Sequence, residues 1–276
     1  MVSKLDYGER EVAASRSVLI ELIHILGVFR DDMVIVGGSV PPLLFPDAAD
    51  QYVGTLDVDI ALNPHRPVES YANLRSLLLQ HGYREHGEQP FIFYRDLVQS
   101  DGATITVQVD FLSGEYGGTG KTHRTQVIQD VRARKARGCD LAFNNSEQVT
   151  IEGILPEGGM DHVSCKISAI VPFLVMKAMA LAERMKEKDA WDIYFCILHY
   201  PPGLDALIVE IKSHLGSKLV VEGMAKISEK FQSPDYIGPK LIADFEGITD
   251  PEERARIQRD AFERIDYILR CIGIRI

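Results

Sequence analysis

The sequence predicts a mixed α/β (α+β) protein in which a small mixed sheet is followed by a helical C-terminal domain. In the first half, short apolar segments typical of strands alternate with segments of helical period, and a glycine turn follows the first of these strands. From about residue 161 onward the pattern is almost entirely helical. We therefore expect two domains, an N-terminal domain over residues 1–160 that begins with a helix, and a helical domain over residues 161–276.

Each element of the first half follows from its apolar spacing. Apolar residues at helical spacing predict a helix over 9–26, and a continuous apolar run predicts a buried strand over 33–36. Apolar and polar residues alternate over 104–112, so this strand has one buried and one polar face, and Asp110 is on the polar face. The other predicted elements are a short helix after the turn at 37–39, a helix at 68–81, and strands at 55–62, 91–94 and 149–155.

The second half is predicted to consist of helices. Residues 167–200 form a long and largely helical stretch, in which Pro172 suits the first turn of a helix. Further helices are expected at 204–215, 218–231 and 251–272.

Composition limits the environment and the partners of the chain. The formal net charge of −10 argues against a broad nucleic-acid-binding surface. Residues 121–137 are nevertheless basic, which fits either a local RNA contact or the basic face of a helix. The chain starts with charged residues and has no apolar run long enough to cross a bilayer, and its four scattered cysteines indicate reduced thiols. We expect a cytoplasmic protein without a membrane partner.

Two carboxylates one residue apart are the strongest chemical signal. Asp57 and Asp59 lie on one predicted strand, and side chains at i and i+2 of a strand point to the same face. Convergent carboxylates are what a pair of Mg²⁺ ions requires, and Asp110 on a separate strand could supply a third. The alternative for Asp57 and Asp59 alone is the solvent-exposed face of an edge strand.

The turn Gly37-Gly38-Ser39 directly follows the first buried strand. Such a turn can offer backbone N–H groups to a phosphate, and the alternative is an ordinary tight turn. In combination with two convergent carboxylates, this turn indicates chemistry on a nucleoside triphosphate.

The order of these elements resembles the nucleotidyltransferase fold of the DNA polymerase β type. In that order come a strand, a Gly-Gly-Ser turn, an Asp-x-Asp strand and a third aspartate. A narrower resemblance comes from Lys177-Ala-Met-Ala-Leu-Ala-Glu-Arg184 and Lys188-Asp-Ala-Trp-Asp-Ile193. These segments are similar to the third and fourth motifs of the AbiEii-type nucleotidyltransferases, the toxins of abortive-infection and type IV toxin–antitoxin systems. The resemblance covers roughly residues 30–200, and Lys188 stands where that family often has Arg.

The resemblance implies an enzyme that transfers a nucleoside monophosphate from an NTP to an acceptor hydroxyl of RNA, tRNA or protein. It implies Mg²⁺ or Mn²⁺ as cofactor and an active site between the two domains. It also implies a growth-arresting toxin, for which a cognate antitoxin would be a partner.

The resemblance also assigns roles to individual residues. The metal-binding and catalytic carboxylates would be Asp57, Asp59 and Asp110. The nucleotide-binding residues would be Gly37, Gly38, Ser39, Lys177, Arg184, Asp189 and Asp192. On one continuous helix, Lys177, Arg184 and Lys188 share a face, so Lys177 and Arg184 could reach the triphosphate while the two aspartates hold these cations or assist the metal site. The alternative is a solvated helix face with ion pairs, Lys188 with Asp192 among them.

Three alternative functions are open at this stage. One is a catalytically silent nucleotide-binding regulatory module, and another is a nucleotidyltransferase that modifies a small molecule such as an antibiotic. The third is a P-loop ATPase, because residues 117–122 read Gly-Gly-Thr-Gly-Lys-Thr. A P-loop would require glycine at position 115, which is Glu115, so we expect Lys121 to belong to a loop near the site.

Overall fold

The computed structural model describes residues 2–63, 74–114, 125–128 and 131–275. It confirms the mixed α/β class with a helical C-terminal region. The chain forms two compact units. The sheet unit comprises Tyr7–Leu43 and Gly54–Ala169, and the helical unit comprises Met1–Asp6, Leu44–Val53 and Ile170–Ile276.

The elements up to Ala169 include both helices and strands, but β3, β4 and β5 follow one another without a helix between them. Short 3₁₀ helices lie at Lys4–Asp6, Gly27–Asp32, Gly37–Ser39 and Pro46–Gln51. In chain order the other elements are α1 (Glu9–Ile25), β1 (Met33–Val36), α2 (Pro41–Leu44), β2 (Asp57–Leu62), α3 (Leu74–Gln80), β3 (Arg84–Glu85), β4 (Ile92–Val98), β5 (Thr104–Ser113), β6 (Thr125–Ile128), β7 (Val131–Lys135), α4 (Cys139–Asn144), β8 (Ser146–Ile154) and β9 (Met160–Ser168).

The strands form one mixed sheet, which is larger than the small sheet that the sequence predicts. The strand order is β3-β4-β5-β2-β1-β9-β8, and the β6–β7 hairpin joins it through β7, which pairs with β5. The pairs β2–β5, β1–β9 and β5–β7 are parallel and the others are antiparallel. Helix α1 packs on β2, β5, β8 and β9. Its apolar stripe and the alternate apolar residues of the strands, such as Val58, Ile60, Val109 and Phe111, are fully buried.

Three details differ from the sequence-based prediction. Met160–Ser168 is a strand paired with β8, so the compact units divide after Ala169 and not at residue 160. Part of the basic segment 121–137 forms the β6–β7 hairpin and not a helix face. Leu56, which falls within the predicted strand 55–62, precedes β2 and is 37% exposed.

The helical unit contains the rest of the chain. Its helices are α5 (Ile170–Arg184), α6 (Glu187–His199), α7 (Leu204–Ser213), α8 (Lys218–Lys230), α9 (Ile237–Glu246) and α10 (Pro251–Cys271). The predicted stretch 167–200 is therefore two helices, which separate at Met185, a residue with φ of 47°. Helix α9 was not predicted. In the described part of the chain, no helix combines the length and the apolar character needed to span a membrane.

Candidate functional site

The pairing of β2 with β5 brings the three predicted carboxylates onto one face of the sheet. In the parallel register, Asp59 lies opposite Asp110 and Asp57 lies opposite Gln108. Residues in register on neighbouring strands share a face, and the strands are about 4.8 Å apart. The intervening residues Val58 and Val109 point the other way and are fully buried. The acidic face therefore lies opposite the apolar face of the same strands.

Neutral side chains orient two of these carboxylates. Thr55 Oγ1 donates a hydrogen bond of 2.6 Å to Asp57 Oδ1. Gln108 Nε2 donates to both carboxylate oxygens of Asp110, at 3.1 and 3.2 Å. Ser15 Oγ on α1 donates to the backbone carbonyl of Asp57 at 3.0 Å, which fixes the start of β2. The sequence analysis missed Thr55 and Gln108. Gln108 shares the face of Asp110 because it stands two residues before it on β5, whereas Thr55 precedes β2.

The glycine turn reaches the same place through β1. Val36, the last residue of β1, pairs in register with Asp59, and the 3₁₀ helix Gly37–Ser39 begins directly after it. Gly37 has φ of 69°, and a Cβ atom on it would overlap Asp59 Oδ2. Both the backbone angle and the close carboxylate therefore require glycine at this position. Gly38 and Ser39 are buried in the turn.

Another acidic residue, Asp140 of α4, lies against the end of β5. A Cβ atom on Gly114 would overlap the carboxylate of Asp140, so Asp140 lies directly against this backbone. Burial raises the pKa of the neighbouring Cys139 thiol, and the negative charges of Asp140 and Asp59 raise it further. Helix α4 therefore places another carboxylate near the predicted set, and no pattern in the sequence indicated it.

The donor chemistry of the sheet face fits a divalent cation. Asp57, Asp59 and Asp110 offer carboxylate oxygens, which Mg²⁺ and Mn²⁺ prefer. Among the described residues, however, no group of three or more His, Cys, Asp or Glu side chains converges closely enough to hold a metal ion without rearrangement. In the structure, Asp57 accepts a hydrogen bond from Thr55, and Asp110 accepts from Gln108.

The predicted nucleotide-binding residues of the helical unit form a buried ion cluster. Asp189 and Asp192 are 1% and 0% exposed. Lys177 Nζ lies 3.1 Å from Asp189 Oδ1 and 2.6 Å from Asp192 Oδ2. Arg184 binds Asp189 with two parallel hydrogen bonds, from Nε at 2.7 Å and from Nη2 at 2.9 Å. The structure thus brings these four residues together, with each aspartate bound to cations.

A tyrosine that the sequence analysis missed completes the cluster. Lys188 Nζ donates to Asp192 Oδ1 at 2.9 Å and to the hydroxyl of Tyr52 at 2.7 Å. The Tyr52 hydroxyl in turn donates to Asp192 Oδ1 at 2.9 Å. Lys188 lies on α6 and not on the helix of Lys177, so the predicted single helix face is wrong. The predicted pair of Lys188 with Asp192 is confirmed.

The charges in the cluster stabilise one another against burial. Burial favours the neutral form of Lys177, but the attraction of Asp192 and Asp189 outweighs it and raises the pKa of Lys177. Burial likewise opposes the charge of Asp189, but Lys177 and Arg184 lower its pKa to about 2. The Arg184 side chain is 43% exposed, whereas that of Lys177 is 11% exposed. Arg184 is therefore the cation of this pair that a soluble ligand can reach.

Some predicted features lie outside the described residues. They are the Gly-rich segment 117–122 with Lys121, residues 68–73 of the predicted helix 68–81, and the start of the basic segment 121–137. In the described end of that segment, the guanidinium of Arg134 lies 5.8 Å from the ring centroid of Phe91.

Comparison of the chain with protein-family models and with curated proteins gives no match. The resemblance to the AbiEii-type nucleotidyltransferases therefore stays a prediction from the motifs. The functional argument rests on the arrangement of the residues themselves.

Proposed function

We propose that this chain is a metal-dependent nucleotidyltransferase that transfers a nucleoside monophosphate from an NTP to an acceptor hydroxyl. The observation that carries the proposal is the register of β2 and β5, which places Asp59 opposite Asp110 and beside Asp57. The three aspartates that the sequence pattern singles out thus lie on one face of the sheet. The contact of Gly37 with Asp59 places the glycine turn directly beside that group.

In this proposal, the three aspartates of the sheet bind the metal ions, and one of them also acts as a base. Asp57, Asp59 and Asp110 would hold Mg²⁺ or Mn²⁺, which supplies charge neutralisation for the triphosphate and for the departing pyrophosphate. Asp110 would also accept the proton of the acceptor hydroxyl. The hydroxyl oxygen would then form a bond to the α-phosphorus while the bond between the α-phosphorus and pyrophosphate breaks. Asp110 is 7% exposed, which suits a base that must exchange its proton with substrate rather than with bulk water.

Binding of the triphosphate would use backbone and cationic groups. The turn Gly37–Ser39 would contact phosphate oxygens through backbone N–H groups. On the helical unit, Arg184 is the candidate for a phosphate contact because its side chain is 43% exposed, while Asp189 holds its guanidinium in a fixed orientation. That Arg184 and the acidic face act on the same nucleotide stays a prediction.

The acceptor and the biological role follow only from the resemblance. They are RNA, tRNA or protein as acceptor, a growth-arresting toxin as role, and a cognate antitoxin as partner. We also propose a cytoplasmic location, which the free thiols of Cys139, Cys165, Cys196 and Cys271 support.

The test is transfer of label from each α-³²P-labelled NTP to RNA, protein or small molecules of a cell extract, with Mg²⁺ or with EDTA. We expect metal-dependent labelling that Asp57→Ala abolishes. Asp101→Asn is the matched control, since Asp101 is an exposed aspartate of the same sheet unit, in the turn between β4 and β5. Saturable NTP binding without labelling in any fraction would instead support the silent regulatory module. Labelling of a small molecule alone would support the antibiotic-type enzyme.

A further inference from the structure

The helical unit contains a pocket that the proposed transfer reaction does not use. It has a volume of about 500 Å³ and lies among α6, the end of α9 and the start of α10. We call it the Trp191 pocket, after the indole in its wall. Aromatic and aliphatic side chains make up much of the remaining wall, among them Phe195, Leu198 and Ile257. Its volume is in the range of sites that bind small molecules.

A lysine of the same chain already places its ammonium in this pocket. Lys4 Nζ lies 4.7 Å from the ring centroid of Trp191 and 2.7 Å from Glu246 Oε2. The other carboxylate oxygen of Glu246 accepts a hydrogen bond of 2.5 Å from Trp191 Nε1. The indole therefore supplies an aromatic face for a cation and also orients the carboxylate that binds it. An aromatic face combined with a carboxylate is the chemistry that recognises organic ammonium groups.

The segment that carries Lys4 has little else to hold it in place. The 3₁₀ helix Lys4–Asp6 contains no buried residue, and Leu5 is 93% exposed. The carboxylate of Asp6 bonds within the segment, to the backbone and hydroxyl of Ser3. The Lys4 side chain itself is 32% exposed. A competing ammonium could therefore take the place of Lys4 without disrupting buried packing.

The charges around the pocket define how many positive charges a ligand should carry. Asp260 is bound by Arg264 at 2.8 Å and by the hydroxyl of Tyr194 at 2.7 Å. Glu253 lies 3.8 Å from Arg256. When Lys4 leaves, Glu246 is the acid whose counter-charge is lost. Burial, together with the nearby positive charges of Arg264 and Lys4, lowers the pKa of His199 in the wall, so this imidazole adds no positive charge at neutral pH.

We infer that the Trp191 pocket binds a small organic amine with one positive charge and an apolar body. Its ammonium takes the place of Lys4 between the indole and Glu246, and its apolar part lies along Phe195 and Ile257. Lys4 is then an internal competitor, tethered at an effective concentration of about 1 mM or more. The inference does not depend on the transferase activity, because it uses only residues of the helical unit.

The chain offers a direct readout, since Trp191 is its one tryptophan. The experiment titrates the full-length protein with 2-phenylethylamine and follows tryptophan fluorescence, with 2-phenylethanol as the uncharged ligand of the same shape. We expect a saturable change with the amine, and a dissociation constant about tenfold lower in Lys4→Ala than in the wild type because the tethered competitor is removed. Lys226→Ala, which removes an exposed lysine of α8 paired with Glu229, should leave the dissociation constant unchanged.

A second substitution separates specific recognition from adsorption to apolar surface. Glu246→Gln in the Lys4→Ala background keeps an oxygen acceptor for Trp191 Nε1, so circular dichroism should report an unchanged fold. We expect it to weaken amine binding at least tenfold. No saturable signal in folded Lys4→Ala, or equal binding of 2-phenylethanol, would overturn the inference, and so would amine binding that Glu246→Gln leaves unchanged.

Discussion

Asp189→Asn should destabilise the helical unit strongly, because it removes one of the two anions from a buried cluster of ion pairs. Asp189 is 1% exposed and accepts two hydrogen bonds from Arg184 and one from Lys177. The pKa of Asp189 falls from 3.8 to about 2, which corresponds to about 2 kcal/mol of preference for the charged form in the folded state. Asparagine also leaves Lys177 with a single aspartate, and breaking a buried ion pair costs about 3–5 kcal/mol. We expect a loss of about 3 kcal/mol in the free energy of unfolding.

The assay is urea unfolding at pH 7, followed by circular dichroism and by the fluorescence of Trp191. At an m-value of about 2 kcal/mol/M, the expected loss lowers the urea midpoint by about 1.5 M. Asp235→Asn, at an exposed aspartate of the same unit, is the control and should change the midpoint little. A loss below about 0.5 kcal/mol would refute the conclusion that the cluster stabilises the fold.

The pH dependence gives an independent check with a definite sign. The folded pKa of Asp189 is depressed, so its stabilising contribution is fully present above the ordinary carboxylate pKa. It is lost as the pH falls through the folded value of about 2. The stability difference between wild type and Asp189→Asn should therefore be constant between pH 5 and 7 and should shrink between about pH 4 and about pH 2. A difference that grows on acidification would contradict the assigned ion pairs.

Two further predictions concern the acidic face of the sheet. Gly37→Ala should destabilise the chain by about 1–3 kcal/mol more than Gly102→Ala in thermal or urea unfolding, because both glycines have positive φ but only at Gly37 does the new Cβ overlap Asp59. Equal losses would show that the turn does not press against that carboxylate. Gln108→Leu should bind Mn²⁺ several-fold more tightly in an electron paramagnetic resonance titration, because the amide that now holds both oxygens of Asp110 is removed. Weaker binding would instead mean that Gln108 orients Asp110 for the metal.

Local patterns in the sequence were sufficient to predict the strands that carry the acidic face. Two-residue alternation predicts that Asp57 and Asp59 share one face and that Asp110 is on a polar one, and the structure has this orientation. The pairing of β2 with β5 in a register that sets Asp59 opposite Asp110 is a long-range property, and no local pattern encodes it. The bond from Gln108 could have been anticipated, since Gln108 is a polar residue at i−2 of Asp110 on the same strand face, whereas Thr55 precedes β2.

The errors in the helical half also have physical causes. The apolar pattern continues through residues 167–200, so it gave no sign of the break at Met185, where a non-glycine residue adopts positive φ. The break matters for the site, because it turns α6 back so that Asp189 and Asp192 face Lys177.

Strand β9 of the sheet unit was missed because it directly precedes a strongly apolar helix, although Val163, Cys165 and Ile167 alternate with polar residues and are buried.

The two groups of aspartates can be separated by the kind of partner that each one has. Asp189 and Asp192 lie in ion pairs with Lys177, Arg184 and Lys188, so their charge is already balanced inside the helical unit. A carboxylate balanced in this way has little left to offer a divalent cation. On the sheet, the hydroxyl of Thr55 donates to Asp57 and the amide of Gln108 donates to Asp110. The ion pairs therefore favour Asp189 and Asp192 as the groups that hold the cations of the helical unit in place.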